Sequence, residues 1–142
     1  MKRIALLTVV LFFNLTFSQK KELRKAQKLY DGGDISGALQ ILNENQSLFE
    51  NLDQKVKPNY DFLKGKIAQN NKEFQNAYDL YNSVKEIASI KDKVVQQLNL
   101  LSNDIVNSAI DDNGSGDFKS STEKLYLAYL IDPEFNKDYL YY

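Results

Sequence analysis

Apolar residues return along most of this chain at intervals of three and four, the period of a helix that buries one face. Leu23, Ala26, Leu29 and Tyr30 predict a helix over 20–31, which Gly32-Gly33 ends, glycine being preferred just past a helix C-terminus. Asp34 is placed to cap a second helix, about 35–49, carrying Ile35, Ala38, Leu39, Leu42, Leu48 and Phe49. The polar stretch 51–58 reads as a loop, with Pro58 tolerated at or just before the first turn of the next helix. Tyr60, Phe62, Leu63, Ile67 and Ala68 predict that helix. It ends near Asn70-Asn71, a residue type that accepts the left-handed turn conformation. Phe74, Ala77, Tyr78, Tyr81, Val84, Ile87 and Ala88 return in an antiparallel helix.

A longer periodic run comes next, through Ile90, Val94, Leu98, Leu101, Ile105 and Ala109. With Asp92 as its cap it predicts a helix of about 19 to 20 residues, roughly 30 Å long. Asn113-Gly114-Ser115-Gly116 is the turn, and Phe118, Leu125, Tyr126, Ala128, Tyr129 and Ile131 line the helix that Pro133 ends. The expected fold is all-α: three antiparallel helical hairpins over 20–50, 58–88 and 92–133, with 134–142 starting a further helix.

The first 18 residues read differently. Lys2 and Arg3 precede the apolar run Ile4–Phe13, and small Thr16 and Ser18 flank a cut before Gln19, the layout of a secretory signal peptide. The ten-residue run, apolar except for Thr8, is too short to span a bilayer, which needs about 20. The expectation is therefore a cleaved signal over 1–18, a mature domain over 19–142 without a membrane span, and export to the periplasm or outer-membrane periphery. There is no cysteine, so the exported fold stands on packing without disulfides.

The three turns align. Ile35, Phe74 and Phe118 share one column, and Ala38, Ala77 and Ser121 share another three residues later, with periods of 39 and 44 residues. A bulky residue after the turn wedges between the helices, and a small one a turn later lets them approach. On these residues the chain resembles the tetratricopeptide repeat family. The third unit matches best, through Ala109, Gly116-Asp117-Phe118, Ser121, Leu125, Ala128 and Asp132-Pro133. The second offers Gly65, Phe74, Ala77, Tyr81 and Val84, and the first Ala26, Gly33-Asp34-Ile35, Ala38 and Leu42. The units run longer than the family's 34 or so residues, and Glu22, Asp61 and Ile105 stand where it favours tryptophan.

The resemblance implies a right-handed α-solenoid, a non-enzymatic scaffold whose first helices line a concave groove for a peptide or protein partner. By position that groove would present Gln27 and Tyr30, then Asn59, Phe62, Lys66 and Asn70, then Val106 and Ile110. Leu23 and Leu63 occupy the places where the family's carboxylate clamp needs polar groups, so no clamp is expected. At the far end Tyr139, Leu140, Tyr141 and Tyr142 form an apolar surface. A solenoid's last unit normally shows a polar face. The expectation is therefore a continuing repeat, a partner, or self-stacking there; a structural homo-oligomer and a glycan-binding envelope protein are the other classes.

Composition narrows the chemistry. Histidine is absent as well as cysteine, which removes the commonest transition-metal ligands, thiol nucleophiles and the usual neutral-pH proton shuttle. No cofactor, metal or catalytic residue is predicted. Eighteen Lys and Arg against 19 Asp and Glu show no overall basic footprint for nucleic acid. Lys20, Lys21, Arg24, Lys25 and Lys28 could meet anionic lipid or glycan. Lying just after the signal and interrupted by Glu22, they read as a solvated helix end. Asp111, Asp112, Asn113 and Asp117 lack the spacing of a calcium loop and read as turn chemistry. Carboxylate chemistry would require Asp61, Asp104, Asp111 and Asp112 to converge.

Overall fold

The computed structural model describes the backbone of residues 2–136 and the side chains of residues 15–134. Every regular element among them is helical, and the helices pack in antiparallel pairs. They are α1 (Lys2–Asp31), α2 (Ile35–Glu44), α3 (Gln46–Phe49), α4 (Lys57–Asn70), α5 (Phe74–Val84), α6 (Lys91–Ser115), α7 (Phe118–Ile131) and α8 (Pro133–Asn136). Two compact units, Met1–Leu63 and Lys64–Tyr142, meet within the sequence of α4.

In the first unit, α1 and α2 pair across the Gly32-Gly33 turn. Gly33 takes the left-handed conformation at φ 86°. Its N–H reaches Tyr30 O and the Asp34 N–H reaches Leu29 O, so two carbonyls left over at the end of α1 are satisfied. Asp34 caps α2 by accepting from the Gly37 N–H at 2.8 Å. Leu23, Ala26, Ala38 and Leu42 are buried between the helices. The single helix expected over 35–49 is broken at Asn45. The Asn45 side-chain amide donates to Ile41 O at 2.8 Å, competing with the helix's own ladder. The short α3 beyond the break buries Phe49, whose ring lies 4.8 Å from that of Tyr60.

Helix α1 runs unbroken through the predicted cut before Gln19. Gln19 itself is only 1% exposed. Its amide donates to Leu48 O at 3.0 Å and Asn51 O at 2.9 Å, and its oxygen accepts from the Asp53 N–H at 3.1 Å. One side chain thus satisfies three backbone groups in and around the segment joining α3 to α4. Thr16 adds a hydroxyl bond to the Asp53 carboxylate at 3.1 Å. The Lys55 backbone N–H, and after it the Thr16 hydroxyl, hold that carboxyl below its usual range.

In the second unit the end of α4 meets α5 where Gly65 faces the buried Tyr81. A Cβ on Gly65 would fall 2.4 Å from Tyr81 Cε1, so only glycine permits this approach. The Tyr81 hydroxyl donates to Gln69 Oε1 at 3.0 Å, where Gln97 also donates at 2.9 Å, and Gln69 passes its own N–H to Asp104 at 2.6 Å. The turn to α5 is left-handed at Lys72, φ 62°, and not at Asn70 or Asn71. The Lys72 N–H reaches Gln69 O and the Glu73 N–H reaches Ala68 O, the same pair of bonds that Gly33 and Asp34 make. Lys72 therefore stands in glycine's place.

Helix α6 has 25 residues, longer than predicted at both ends. Ile90 precedes it without a side-chain cap, Asp92 lies in its first turn, and it continues through Gly114 to Ser115 before Gly116 turns left-handed at φ 86°. Gly116 and Asp117 repeat the two turn bonds, to Asn113 O and Asp112 O. Ile87 and Ala88, expected on α5, fall in the connection between α5 and α6. Val94, Leu101, Ile105, Val106, Ala109, Leu127 and Ala128 are the buried apolar residues of α6 and α7.

Candidate functional site

The hairpin of α6 and α7 is built from the turn outward. Asp117 accepts from the Ser120 N–H at 3.1 Å and caps α7. Ser121 is 6% exposed and Ala109 fully buried, small residues that let the two helices approach. A polar clasp fixes the pair: Lys124 Nζ donates to Asp112 Oδ2 at 2.6 Å and to Ser108 Oγ at 2.9 Å, while the Ser120 hydroxyl donates to the same Asp112 oxygen. The Lys124 ammonium, and after it the Ser120 hydroxyl, hold the Asp112 carboxyl below its ordinary value. Asp112 and Asp117 thus serve the turn.

The same hairpin carries an open apolar groove of about 470 Å³, lined by Ala109, Ile110, Asn113, Phe118, Ser121, Thr122 and Leu125. Phe118 is 66% exposed and Ile110 is 62% exposed. The expected wedge role fails at this turn. Phe74, the matching residue one turn earlier, is 7% exposed. The two turns differ in their next neighbour along the chain. Beyond the Phe74 turn stands α6, whose Asp104, Asn107, Ser108 and Asp111 share a smaller depression of about 280 Å³ with Gln69, Asn70, Lys72 and Phe74. Across Phe118 no helix packs among the described residues. Covering Phe118 and Ile110 would contribute about 1.5–3 kcal/mol for each side chain.

The other predicted partner residues fall in both units. In the first unit Gln27 is half-buried and donates to Asp31 at 2.7 Å, Tyr30 and Phe62 are half-buried, and Asn59 is exposed. In the second, Lys66 is half-buried, Asn70 is exposed in the smaller depression, and Val106 is buried in the core instead of facing a groove. Leu23 and Leu63 are core residues. Tyr139, Leu140 and Tyr142 lie outside the described residues. Asp61 pairs with Lys57 in the first unit. Asp104 and Asp111 do share a depression, but they sit seven residues apart on α6, about 10 Å of helix rise, and Asp104 already accepts from Gln69. No group of three or more Asp or Glu residues placed to hold a metal occurs among the described residues.

Compared with protein-family models, with curated proteins and with solved structures, the chain matches none.

Proposed function

We propose that this chain is a non-enzymatic scaffold of the bacterial cell envelope, built from tetratricopeptide-like hairpins and exported by its N-terminal segment. Its partner is a protein that lays an amphipathic helix across the α6–α7 hairpin. The observation that carries this is the contrast between two equivalent turns: Phe74 is buried beside a depression it shares with α6, and Phe118 stands open. Helix-in-groove recognition needs a few apolar anchors at helical spacing, which Ile110, Phe118 and Leu125 offer to one side of an incoming helix. On the family resemblance alone, Gln27, Tyr30, Asn59 and Phe62 in the first unit, and separately Lys66 and Asn70 in the second, remain further candidates.

The test compares the purified chain with its Ile110→Glu variant as bait in envelope extract. Ile110 is exposed, so the variant keeps its fold. The expected result is a protein retained by the first bait and lost with the second; equal recovery on both refutes the assignment. Self-stacking is separated by sedimentation velocity. A concentration-dependent dimer that Ile110→Glu abolishes would make the partner a second copy.

A further inference from the structure

The basic cluster of α1 is more ordered than its sequence suggests. At about 100° per residue, Phe17, Lys20, Lys21, Arg24, Lys25 and Lys28 fall within an arc of about 140° on the helix. All six are exposed, and together they line one shallow depression of about 380 Å³. Glu22 does not interrupt that face. It lies about 60° round the helix from Lys25, to which it is bonded at 2.8 Å on the flank. Lys20, Lys21, Arg24 and Lys28 make no ion pair among the described residues; Lys20 acts on Asp53 only through space.

The opposite side of the same helix is fixed in the core through Gln19, Leu23 and Ala26. The cations therefore cannot turn inward, and α1 holds them as one outward plane. They are also segregated from the rest of the molecule. Without these five, 13 Lys and Arg face 19 Asp and Glu. Phe17, 72% exposed, stands at the N-terminal edge of the face, shortly after the apolar run Ile4–Phe13.

We propose that this face of α1 docks on an anionic lipid surface, with Lys20, Lys21, Arg24 and Lys28 over the headgroups and Phe17 at the acyl boundary. Attraction of a basic face to anionic lipid, added to burial of an apolar side chain at its edge, is the combination that strengthens interfacial binding. A polyanionic glycan or nucleic acid would use the charges and have no use for Phe17. Among the described residues no helix is long and apolar enough to cross a membrane, so the attachment lies on the surface. The four unpaired cations come after the predicted cut and Phe17 before it, so the attachment belongs to the uncleaved chain, and the charged part of the face alone persists if residues 1–18 are removed. The assignment is independent of the groove at Phe118.

The test is flotation of the full chain with neutral phosphatidylcholine vesicles and with vesicles containing phosphatidylglycerol, at low and at physiological salt. Binding is expected to rise at least tenfold with the anionic lipid and to weaken with salt. Each cation replaced by glutamine should lower it about fivefold, so Lys20→Gln with Arg24→Gln lowers it roughly 25-fold. Phe17→Ser should weaken binding while leaving the salt dependence intact. Unchanged circular dichroism shows that these exposed substitutions preserve the fold. Equal binding to both vesicle types, or a double variant that floats like the parent chain, overturns the proposal. So does tight binding of heparin-like glycan without preference for anionic vesicles.

Discussion

Replacing Lys72 with glycine should stabilise this protein, although it deletes a side chain and adds backbone freedom. Lys72 is left-handed at φ 62°, and its two turn bonds match those made at Gly33 and Gly116. A residue with a Cβ gives up about 1–2 kcal/mol in that conformation. Glycine removes that cost but raises the entropy of the unfolded chain by about 0.4–1 kcal/mol. The Lys72 side chain is exposed, makes no hydrogen bond or ion pair among the described residues and acts on the Asp112 carboxylate only through space, so little else is lost. The net gain is about 0.5–1 kcal/mol, a rise in melting temperature of about 1–4 °C for a chain of this size.

Urea unfolding monitored by circular dichroism measures this directly, with an unchanged m-value as the sign that only stability has moved. Lys72→Ala is the control, since it removes the same side chain and keeps the left-handed cost. Gly33→Ala and Gly116→Ala should lose about 0.5–1 kcal/mol each, the same net effect with its sign reversed. If Lys72→Gly and Lys72→Ala shift the midpoint alike, the three turns are not equivalent and the reasoning fails.

Gly65→Ala should cost about 1–2 kcal/mol by thermal denaturation: the overpacking penalty against the buried Tyr81 ring outweighs the gain in helix propensity; a more stable variant would show that the ring can yield. Gln19→Ala should cost about 2–3 kcal/mol in urea unfolding, since it leaves Leu48 O, Asn51 O and the Asp53 N–H short of a partner; a loss below about 0.5 kcal/mol would mean water replaces it freely. Asp112 has a lowered carboxyl in the fold, so the native state binds fewer protons than the unfolded chain around the ordinary aspartate value. Its contribution is present above that value and is lost as pH falls through the lowered one. Urea midpoints taken from about pH 6 down to about pH 3 should fall, and fall less steeply for Asp112→Asn; parallel slopes would remove Asp112 from the cause.

Legibility in the sequence depends on which residues announce their backbone. Gly33 and Gly116 mark left-handed turns openly, and Asp34 and Asp117 cap the helices after them, so four residues make the first and third hairpins readable. The second turn reads as Asn70-Asn71 because nothing in a lysine signals a positive φ. Yet the 39- and 44-residue periods carried by Ile35, Phe74 and Phe118 also relate Gly33, Lys72 and Gly116, so the columns hold the register that composition hides. The break at Asn45 falls in the polar stretch 43–47, which Leu42 and Phe49 still bridge in phase at a spacing of seven, and the asparagine's bond back to Ile41 competes with the helix there.

Burial is less legible than position. Ala38, Ala77 and Ser121 are all buried, as their column requires. The bulky column diverges, since Phe74 is buried and Phe118 is exposed. That depends on what packs across the hairpin, which no local pattern records. Gln19 is hidden for a similar reason: a polar residue beside a predicted cut looks exposed until the segment it satisfies is in place. The basic face is accessible to anyone who turns the sequence about the helix axis, which moves Glu22 off it.

A docking scaffold requires Phe118 to meet another helix. A photo-reactive phenylalanine at position 118, with one at exposed Asp79 as control, tests that contact in the living envelope. The expected outcome is a discrete adduct formed from position 118 and absent from position 79, lost when Leu125 is changed to aspartate. Equal labelling from both positions, or none from position 118, would contradict the claim that this hairpin is a docking face.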